Sequence, residues 1–292
     1  MLGRYLFSTY LFVILLGLSA FAGAGEQNFS TIKQYGELAN AAYEGKLKAR
    51  EACEKQGYQF TQYGTTAGIE VAYFLATNET NKTQIIAVRG TANVENVMVD
   101  ADFKLKLDEH TGNMLHSGFA QSAIAVYEAI KPKLKRDYTI NTTGHSLGGA
   151  VAVVLAMHLD QDKYKLGQVI TFGQPKVTNI NGAERYSSMK ITRVVNEKDM
   201  VPLVPPFDPS DIKNVDLYWH AGRELILLVG DEYSLASGIP SMLRTVKFFK
   251  ETPGEQNLEH HKMTLYLEQL NRKVSTGKEV PYKTGFSLLD MF

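Results

Sequence analysis

One short segment of the chain, Gly144-His-Ser-Leu-Gly148, has residue types and spacing suited to covalent acyl transfer. A β-branched run at 138–143 precedes it and a run of small and apolar residues at 149–159 follows it, so the serine falls where a strand gives way to a helix. Glycine on both sides permits a turn tight enough to expose the Ser146 hydroxyl. The following helix presents unpaired backbone N–H groups, and that of Leu147 can point at an oxyanion. The segment therefore predicts a nucleophile elbow.

A serine at such a turn needs a histidine to accept its proton and a carboxylate to hold the tautomer of that histidine. In strand–turn–helix sites of this kind, the acid and then the base follow the serine in the chain. Beyond the elbow and its helix, the histidines are His220, His260 and His261. His220 lies in a strand-like run and is better explained as structural. The pair at 260–261 opens a predicted helix over 262–271, and spacing alone leaves either member as the base.

Asp199 is the carboxylate best placed to partner the base. It follows a predicted strand at 191–196 and precedes Val201-Pro202, so it lies in a loop at the carboxyl end of a strand, where sheets of this kind place catalytic groups. The other aspartates beyond the serine stand in polar or turn-like surroundings and are interpreted as surface charge: Asp160, Asp162, Asp208, Asp211, Asp216 and Asp231.

A second region upstream of the elbow could complete the site. A predicted strand at 84–88 runs into Arg89-Gly-Thr91, and Thr91 could offer its N–H and its hydroxyl to an oxyanion, although Gly-Thr after a strand is also ordinary turn chemistry. Val94, Val97 and Met98 then share one face of a short predicted helix. A helix of this length is unstable alone, so it is either a surface helix over the core or a movable lid.

The elements that must position these residues alternate between strand and helix. Apolar spacing predicts helices over 28–43, with Ser30 as N-cap, and over 46–56. A third helix, with Ile124 facing inward, should kink or end near Pro132. Strands are predicted at 58–63, 69–75, 84–88, 138–143, 167–173 and 191–196, followed by an antiparallel pair at 215–219 and 224–229. This alternation favours an α/β fold with a mostly parallel sheet and right-handed crossovers.

Composition and charge restrict the classes of partner. The 292 residues are 44% hydrophobic and 21% charged, with a formal net charge of zero, which is typical of a globular protein. Basic residues are scattered rather than clustered, so nucleic acid is not an expected partner. Cys53 is the only cysteine, which excludes an intrachain disulfide and predicts a small, partly buried side chain.

Residues 1–24 differ from the rest and are typical of a secretory signal. Arg4 is the only charged residue before Glu26, the run 11–18 is almost wholly apolar, and small residues at 20–24 suit cleavage. The uncharged run at 5–25 is also long enough for an uncleaved membrane anchor. We expect a signal peptide over 1–24, one domain over 25–292 and export to the periplasm or medium, with the anchor as the alternative.

Over roughly residues 28–271 the chain resembles the class 3 lipase family, the filamentous-fungal type that also has bacterial and plant members. The resemblance implies an α/β-hydrolase fold: a central, mostly parallel sheet flanked by helices, with a short lid helix. It rests on separated motifs: Arg89-Gly-Thr91, Asp100, His116-x-Gly-Phe119, Thr143 to Gly149, Thr171 to Val177, Arg193 to Pro202 and Tyr218 to Glu224.

The resemblance assigns the catalytic roles. Ser146 corresponds to the nucleophile and Asp199 to the acid. His261, followed by Tyr266-Leu267, is similar in spacing to the base of plant-type members and is chosen over His260.

The resemblance also assigns the groups around the reacting atoms. Thr91 and Leu147 would supply the oxyanion N–H groups, and the short helix bearing Val94, Val97 and Met98 would be the lid. Neither a metal nor an organic cofactor is expected.

The expected activity is that of a secreted triacylglycerol lipase that acts on lipid esters at a lipid–water interface. The alternatives are a phospholipase A1, a soluble-ester esterase of the feruloyl type and, from another class, a non-catalytic membrane-associated protein. Cys53 alone excludes the disulfides usual in fungal members, which suggests a bacterial exported enzyme. The lid segment also lacks the tryptophan typical of fungal triacylglycerol lipases, which argues against strong interfacial activation.

Overall fold

The computed structural model describes residues 27–66, 71–91, 104–205, 217–250 and 256–283. Within these residues the strands form two sheets. The larger has the order β1 (Gln59–Thr65), β2 (Ala72–Asn78), β3 (Thr83–Val88), β6 (Thr139–His145), β7 (Lys165–Phe172), β9 (Ile191–Asn196), β11 (Arg223–Leu227), β12 (Glu232–Ala236) and β13 (Lys278–Glu279). The smaller has the order β10 (Tyr218–Trp219), β8 (Thr178–Asn179), β5 (Asn113–His116) and β4 (Leu105–Asp108).

The centre of the larger sheet is parallel, as predicted. Strands β3, β6, β7, β9 and β11 run in one direction, whereas β1, β2 and β12 pair antiparallel with their neighbours. The carboxyl ends of the parallel strands therefore meet at one edge. The elbow after β6 and the loop after β9 both emerge at this edge.

Helices cover both faces of this sheet. They are α1 (Phe29–Ala41), α2 (Lys46–Lys55), α3 (Ser117–Ile130), α4 (Leu147–Gln161), α5 (Ile180–Arg185), α6 (Ile239–Lys250), α7 (Gln256–Glu259) and α8 (Met263–Thr276). Helices α3 and α4 pack into one core, and α1, α2 and α8 into a second core on the other face. Cys53 is fully buried in the second core, where burial raises its pKa to about 12. No helix among the described residues is long and apolar enough to cross a membrane.

Several local predictions differ from the structure. The N-cap of α1 is Asn28, whose side chain accepts a hydrogen bond from the Thr31 N–H at 2.9 Å, rather than Ser30. Ile124 is 41% exposed because the buried stripe of α3 passes through neighbouring positions instead. The prediction for Pro132 holds, since α3 ends at Ile130 and a 3₁₀ turn follows.

The predicted antiparallel pair at 215–219 and 224–229 is wrong. Tyr218–Trp219 joins the smaller sheet, whereas β11 pairs with β9 and with β12, a strand that sequence reasoning missed. Gly222, with φ of +77°, separates the two segments, and a Cβ at this residue would lie 2.4 Å from the Cβ of Ile191. The chain therefore passes from one sheet to the other at a position that only glycine fits.

A cluster of charged side chains is buried where α6 packs against β9 and β11. Glu224 accepts hydrogen bonds from Arg244 Nε at 3.0 Å and from the Ser241 hydroxyl at 2.6 Å, and Arg193 Nη1 lies 3.8 Å from the same carboxylate. Burial raises the pKa of Glu224, but Arg244 and Arg193 outweigh burial and lower it overall. Lys176, close to the two arginines, has its pKa lowered to about 7, chiefly by burial. The single carboxylate therefore offsets more than one buried cation.

Replacing Glu224 with glutamine should strongly destabilise the fold. The substitution keeps the shape of the side chain but leaves Arg193 and Arg244 buried without a counter-charge, which typically costs about 3–5 kcal/mol. Urea denaturation would measure the loss. Glu232→Gln, an exposed position on the neighbouring strand β12, is the matched control and should unfold like the wild type. Equal midpoints for the two variants would contradict a stabilising role for the carboxylate.

Candidate active site

Ser146 lies in a strained turn between β6 and α4. Its φ of 59° is positive, which is rare for a residue with a side chain. The turn is held by backbone contact, because a Cβ on Gly148 would lie 2.3 Å from the Val88 carbonyl oxygen and one on Gly144 would lie 2.3 Å from the Gly148 carbonyl oxygen. The Ser146 N–H also donates to the Phe172 carbonyl at 2.8 Å, which ties the turn to the end of β7.

Asp199 and His261 form a buried hydrogen-bonded pair. The distance from His261 Nδ1 to Asp199 Oδ2 is 2.8 Å, and neither residue is more than 3% exposed. Because a carboxylate only accepts, Nδ1 donates to it, and Nε2 is the nitrogen that can exchange a proton with a substrate or nucleophile. Nε2 is buried and has no hydrogen-bond partner in the described part of the chain. The ring is thus held in the tautomer that can take a proton at Nε2.

Further donors keep Asp199 ionised although it is fully buried. Burial raises its pKa, but the charge and hydrogen bond of His261 together with hydrogen bonds from Tyr266 and Val201 lower it overall. The Tyr266 hydroxyl lies 2.5 Å from Oδ2, and the Val201 N–H lies 2.9 Å from Oδ1. The sequence indicated Tyr266 only through its spacing from His261 and did not predict this contact. The spacing of five residues after His261, on the first turn of α8, is the signal that could have suggested it.

The last residue of β9 fixes the segment that carries His261. The Asn196 N–H donates to the Tyr266 hydroxyl at 3.1 Å, and its side-chain amide donates to the His260 carbonyl at 2.8 Å. His260, the other candidate for the base, therefore contributes its backbone carbonyl to this contact with Asn196. His220 is not brought to this edge, since it lies beside the first residues of β9 and β11 at the opposite edge.

The end of β7 brings the serine and the Asp199–His261 pair to one place. Phe172 holds the Ser146 N–H, and the next residue, Gly173, faces the pair: a Cβ there would lie 2.7 Å from His261 Cε1 and 3.0 Å from Asp199 Oδ2. No hydrogen bond joins Ser146 to His261 Nε2 in this structure. Such contacts are often long before substrate binds.

The two predicted oxyanion donors lie on either side of the serine. Leu147 begins α4, whose first N–H groups and dipole favour negative charge. Thr91 follows Gly90, where an added Cβ would lie 3.0 Å from the Ser146 Cβ, so this loop runs against the serine. The predicted lid residues Val94, Val97 and Met98 lie outside the described residues.

His145 connects the loop that holds Gly90 to the segment that holds His261, a link that the sequence did not predict. Its Nε2–H donates to the His261 carbonyl at 2.7 Å, so its Nδ1 accepts from the Tyr43 hydroxyl at 2.9 Å. The Tyr43 hydroxyl also contacts the backbone of Gly90. Burial, and then the charge of His261, lowers the His145 pKa to about 3. The ring is therefore neutral.

Residues 85–208 match the family described as Lipase (class 3). These residues belong to the class 3 lipase family. Among relatives, the secreted mono- and diacylglycerol lipase 1 of Fusarium solani is 34% identical over 172 residues, covering 56% of this chain and 50% of that protein. A lipase of Rhizomucor miehei is 31% identical over 158 residues, covering 50% of this chain and 44% of that protein. The chain spans about half the length of these curated relatives.

A solved lipase structure supports the fold assignment. The structure of the Rhizomucor miehei triacylglyceride lipase aligns with a TM-score of 0.55 and 26% identity, over 70% of this chain and 82% of that one. The α/β-hydrolase fold predicted from the sequence is therefore confirmed. The family match contains Ser146 and Asp199 but ends before His261. The choice of His261 consequently depends on its contact with Asp199.

No group of three or more His, Cys, Asp or Glu side chains is placed to hold a metal ion in the described part of the chain.

Removing the Tyr266 hydroxyl should impair both stability and turnover. In Tyr266→Phe, Asp199 loses a charge-assisted hydrogen bond, which is worth about 1.5–3 kcal/mol in unfolding. Weaker orientation of His261 should lower kcat/KM for a soluble ester by about tenfold, or 1.4 kcal/mol. The control is Tyr35→Phe, a buried tyrosine of α1. Full activity in Tyr266→Phe would show that the hydroxyl does not orient the pair.

Replacing His145 should change how stability depends on pH. The folded pKa is about 3, below the unfolded value of about 6.5, so between these values the unfolded chain binds a proton that the native chain does not. The free energy of unfolding of the wild type should therefore fall by up to about 1.4 kcal/mol for each pH unit below 6.5. His145→Gln should be less stable at neutral pH, but its free energy of unfolding should change less steeply with pH.

Urea titrations from pH 4 to pH 7 would measure these slopes. His260→Gln, which removes the neighbouring and only half-buried histidine, is the control and should follow the wild type. Equal slopes for His145→Gln and the wild type would show that His145 does not remain neutral in the folded protein.

Proposed function

We propose that this protein is a serine carboxylic-ester hydrolase acting on lipid esters, and specifically a triacylglycerol lipase. The observation that carries the proposal is the buried Asp199–His261 pair, whose open Nε2 lies at the sheet edge that also holds the strained Ser146. This arrangement suits acyl transfer because it combines a nucleophile, a base and an orienting carboxylate. The match to the class 3 family gives independent support.

In the proposed mechanism, His261 Nε2 takes the proton of the Ser146 hydroxyl as the oxygen attacks the ester carbonyl. The resulting oxyanion accepts hydrogen bonds from the N–H groups of Thr91 and Leu147. The tetrahedral intermediate collapses, and His261 donates its proton to the leaving alcohol. Water then attacks the acyl-enzyme by the same sequence, with His261 again as the base, and releases the fatty acid.

The electrostatics of the pair support this cycle. When His261 is protonated, the imidazolium lies 2.8 Å from a carboxylate that its hydrogen bonds keep ionised. Because the pair is buried, the attraction is stronger than it would be in water. The positive charge that forms in the transition state is thereby stabilised without reorganisation.

The names of the relatives support a lipid ester as the substrate class. They include a secreted mono- and diacylglycerol lipase and a lipase, and a matched structure is a triacylglyceride lipase. The spacing of Val94, Val97 and Met98, which predicts one apolar helix face, supports contact with a lipid–water interface. Secretion of one relative and the composition of residues 1–24 support export by a signal peptide, followed by a single domain from residue 25.

Fatty-acid release from a triacylglycerol emulsion, from phospholipid vesicles and from a short soluble ester would test the proposal. We expect the highest rate on the emulsion and loss of all three activities in Ser146→Ala, which lacks the attacking oxygen. Ser188→Ala, at an exposed position away from the elbow, should retain the wild-type rates.

The ratio of the three rates separates the alternatives. Preferred hydrolysis of vesicles would indicate a phospholipase A1, and hydrolysis of the soluble ester alone would indicate an esterase. Activity of Ser146→Ala within tenfold of the wild type would overturn the assignment of the nucleophile. Absence of all three activities in folded wild-type protein would favour the non-catalytic alternative.

A further inference from the structure

A cavity lies at the edge of the large sheet opposite to the edge that holds Ser146. It has a volume of about 660 Å³ and is bounded by the first residues of β9 and β11, by α5, and by the start of α6. This volume lies within the range of about 300–1,000 Å³ typical of small-molecule sites. The proposed catalytic groups do not line this cavity.

One wall of the cavity is apolar. It is formed by side chains from α5, the loop before β9, β9 itself, β10 and α6: Ile180, Ala183, Met189, Ile191, Trp219 and Ile239. Two of these side chains are unusually open for large aliphatic residues, since Ile180 is 38% and Ile239 is 46% exposed. Burying them against a hydrocarbon chain would be favourable at about 25 cal/mol per Å².

Two cationic side chains also line the cavity. Lys190 and Arg223 both line it, and Glu184 is the only acidic residue in the lining. Arg223 is positioned by its Nε–H, which donates to the Thr192 hydroxyl at 3.1 Å. The guanidinium has four further N–H donors that can bind a carboxylate in a bidentate manner. The first residues of α6 also line the cavity, so the positive end of that helix dipole favours an anion there.

A buried histidine also lines this cavity. His220 is only 4% exposed. Burial, together with the charges of Arg193 and Lys176, lowers the pKa of His220 well below its usual value, although its hydrogen bond to the Pro202 backbone acts in the opposite direction. The positive charge of the lining therefore comes from Lys190 and Arg223.

We propose that this cavity binds an amphiphile with one apolar chain and an anionic head group, namely a long-chain fatty acid. Its carboxylate would bind between Arg223, Lys190 and the start of α6, and its chain would lie along the apolar wall. A small inorganic anion would leave that wall exposed, and an uncharged lipid would leave the cations unused. The choice of a fatty acid among anionic amphiphiles rests on the proposed function, because ester hydrolysis would release it.

The tryptophan of this chain can report binding at this site. Trp219 lines the cavity and is the only tryptophan in the sequence, so its fluorescence reports on the cavity directly. The experiment titrates the full-length Ser146→Ala protein with oleate below its micellar concentration. This variant keeps binding separate from turnover, so failure of the site and failure of the proposed activity give different results. We expect a saturable change in Trp219 fluorescence.

Variants and competing ligands test each part of the proposal. Arg223→Gln should weaken oleate binding about threefold to tenfold, because Arg223 is exposed and a contact there contributes about as much as one ordinary hydrogen bond. Ile180→Asp should weaken it further, because it places a charge on an exposed part of the apolar wall. Arg272→Gln, at an exposed position on α8, is the matched control and should bind like the parent. Thermal unfolding of each variant would identify any loss of folded protein.

Three outcomes would overturn the proposal. They are no fluorescence change with oleate, equal affinities of the Arg223→Gln and Arg272→Gln proteins, and displacement of oleate by inorganic phosphate at equal concentration. The uncharged alcohol of the same chain length should bind at least about threefold more weakly than oleate. Equal binding of the alcohol would also contradict a site for the carboxylate.

Discussion

Direct contact between backbones at the junction of β3, β6 and α4 is the constraint on which the rest of the site depends. A single methyl group on Gly144 or Gly148 would lie 2.3 Å from a carbonyl oxygen, and one on Gly90 would lie 2.6 Å from the carbonyl oxygen of His145. No side chain can be accommodated at such distances without separating the strands. The packed junction therefore stabilises the positive φ of Ser146, a conformation that would be unfavourable in an isolated turn.

The parallel sheet brings the other residues of the candidate site next to this turn. Residues at the carboxyl ends of β6, β7 and β9 become neighbours because adjacent parallel strands end at one edge. His261, the proposed base, is brought to this edge by the Asn196 and Tyr266 contacts, although it lies 62 residues beyond Asp199 in the chain. Among the buried side-chain nitrogen and oxygen atoms of Asn196, Asp199, His261 and Tyr266, only His261 Nε2 and the Asn196 oxygen have no hydrogen-bond partner in the described part of the chain. An unpaired group in an otherwise satisfied network indicates where a reacting atom or water is to be bound.

The sequence predicted those parts of the fold and site that depend on local pattern. The β9 strand at 191–196 has the predicted bounds, and the elbow has its predicted flanks, because β-branched runs and paired glycines act over a few residues. The pairing of β10 and β11 was mispredicted because register depends on distant strands. Spacing could not separate His260 from His261 for a related reason. Adjacent residues in a turn point in different directions, and only the packing of α8 against Asp199 and Asn196 selects one.

The hydrogen-bond chain through Tyr43 and His145 shows why the elbow carries a histidine beside its serine. The Gly90 backbone, the Tyr43 hydroxyl, the His145 ring and the His261 carbonyl are joined in sequence, so the loop that holds Gly90 and the segment that holds His261 share one hydrogen-bonded frame. The frame requires one nitrogen of His145 to donate and the other to accept, a pairing that only neutral imidazole offers. Protonation of His145 would replace the acceptor with a second donor facing the Tyr43 hydroxyl and would place a positive charge 4.5 Å, between ring centroids, from His261. Burial prevents this by lowering the pKa, so the same packing that holds the elbow also protects the base from a competing cation.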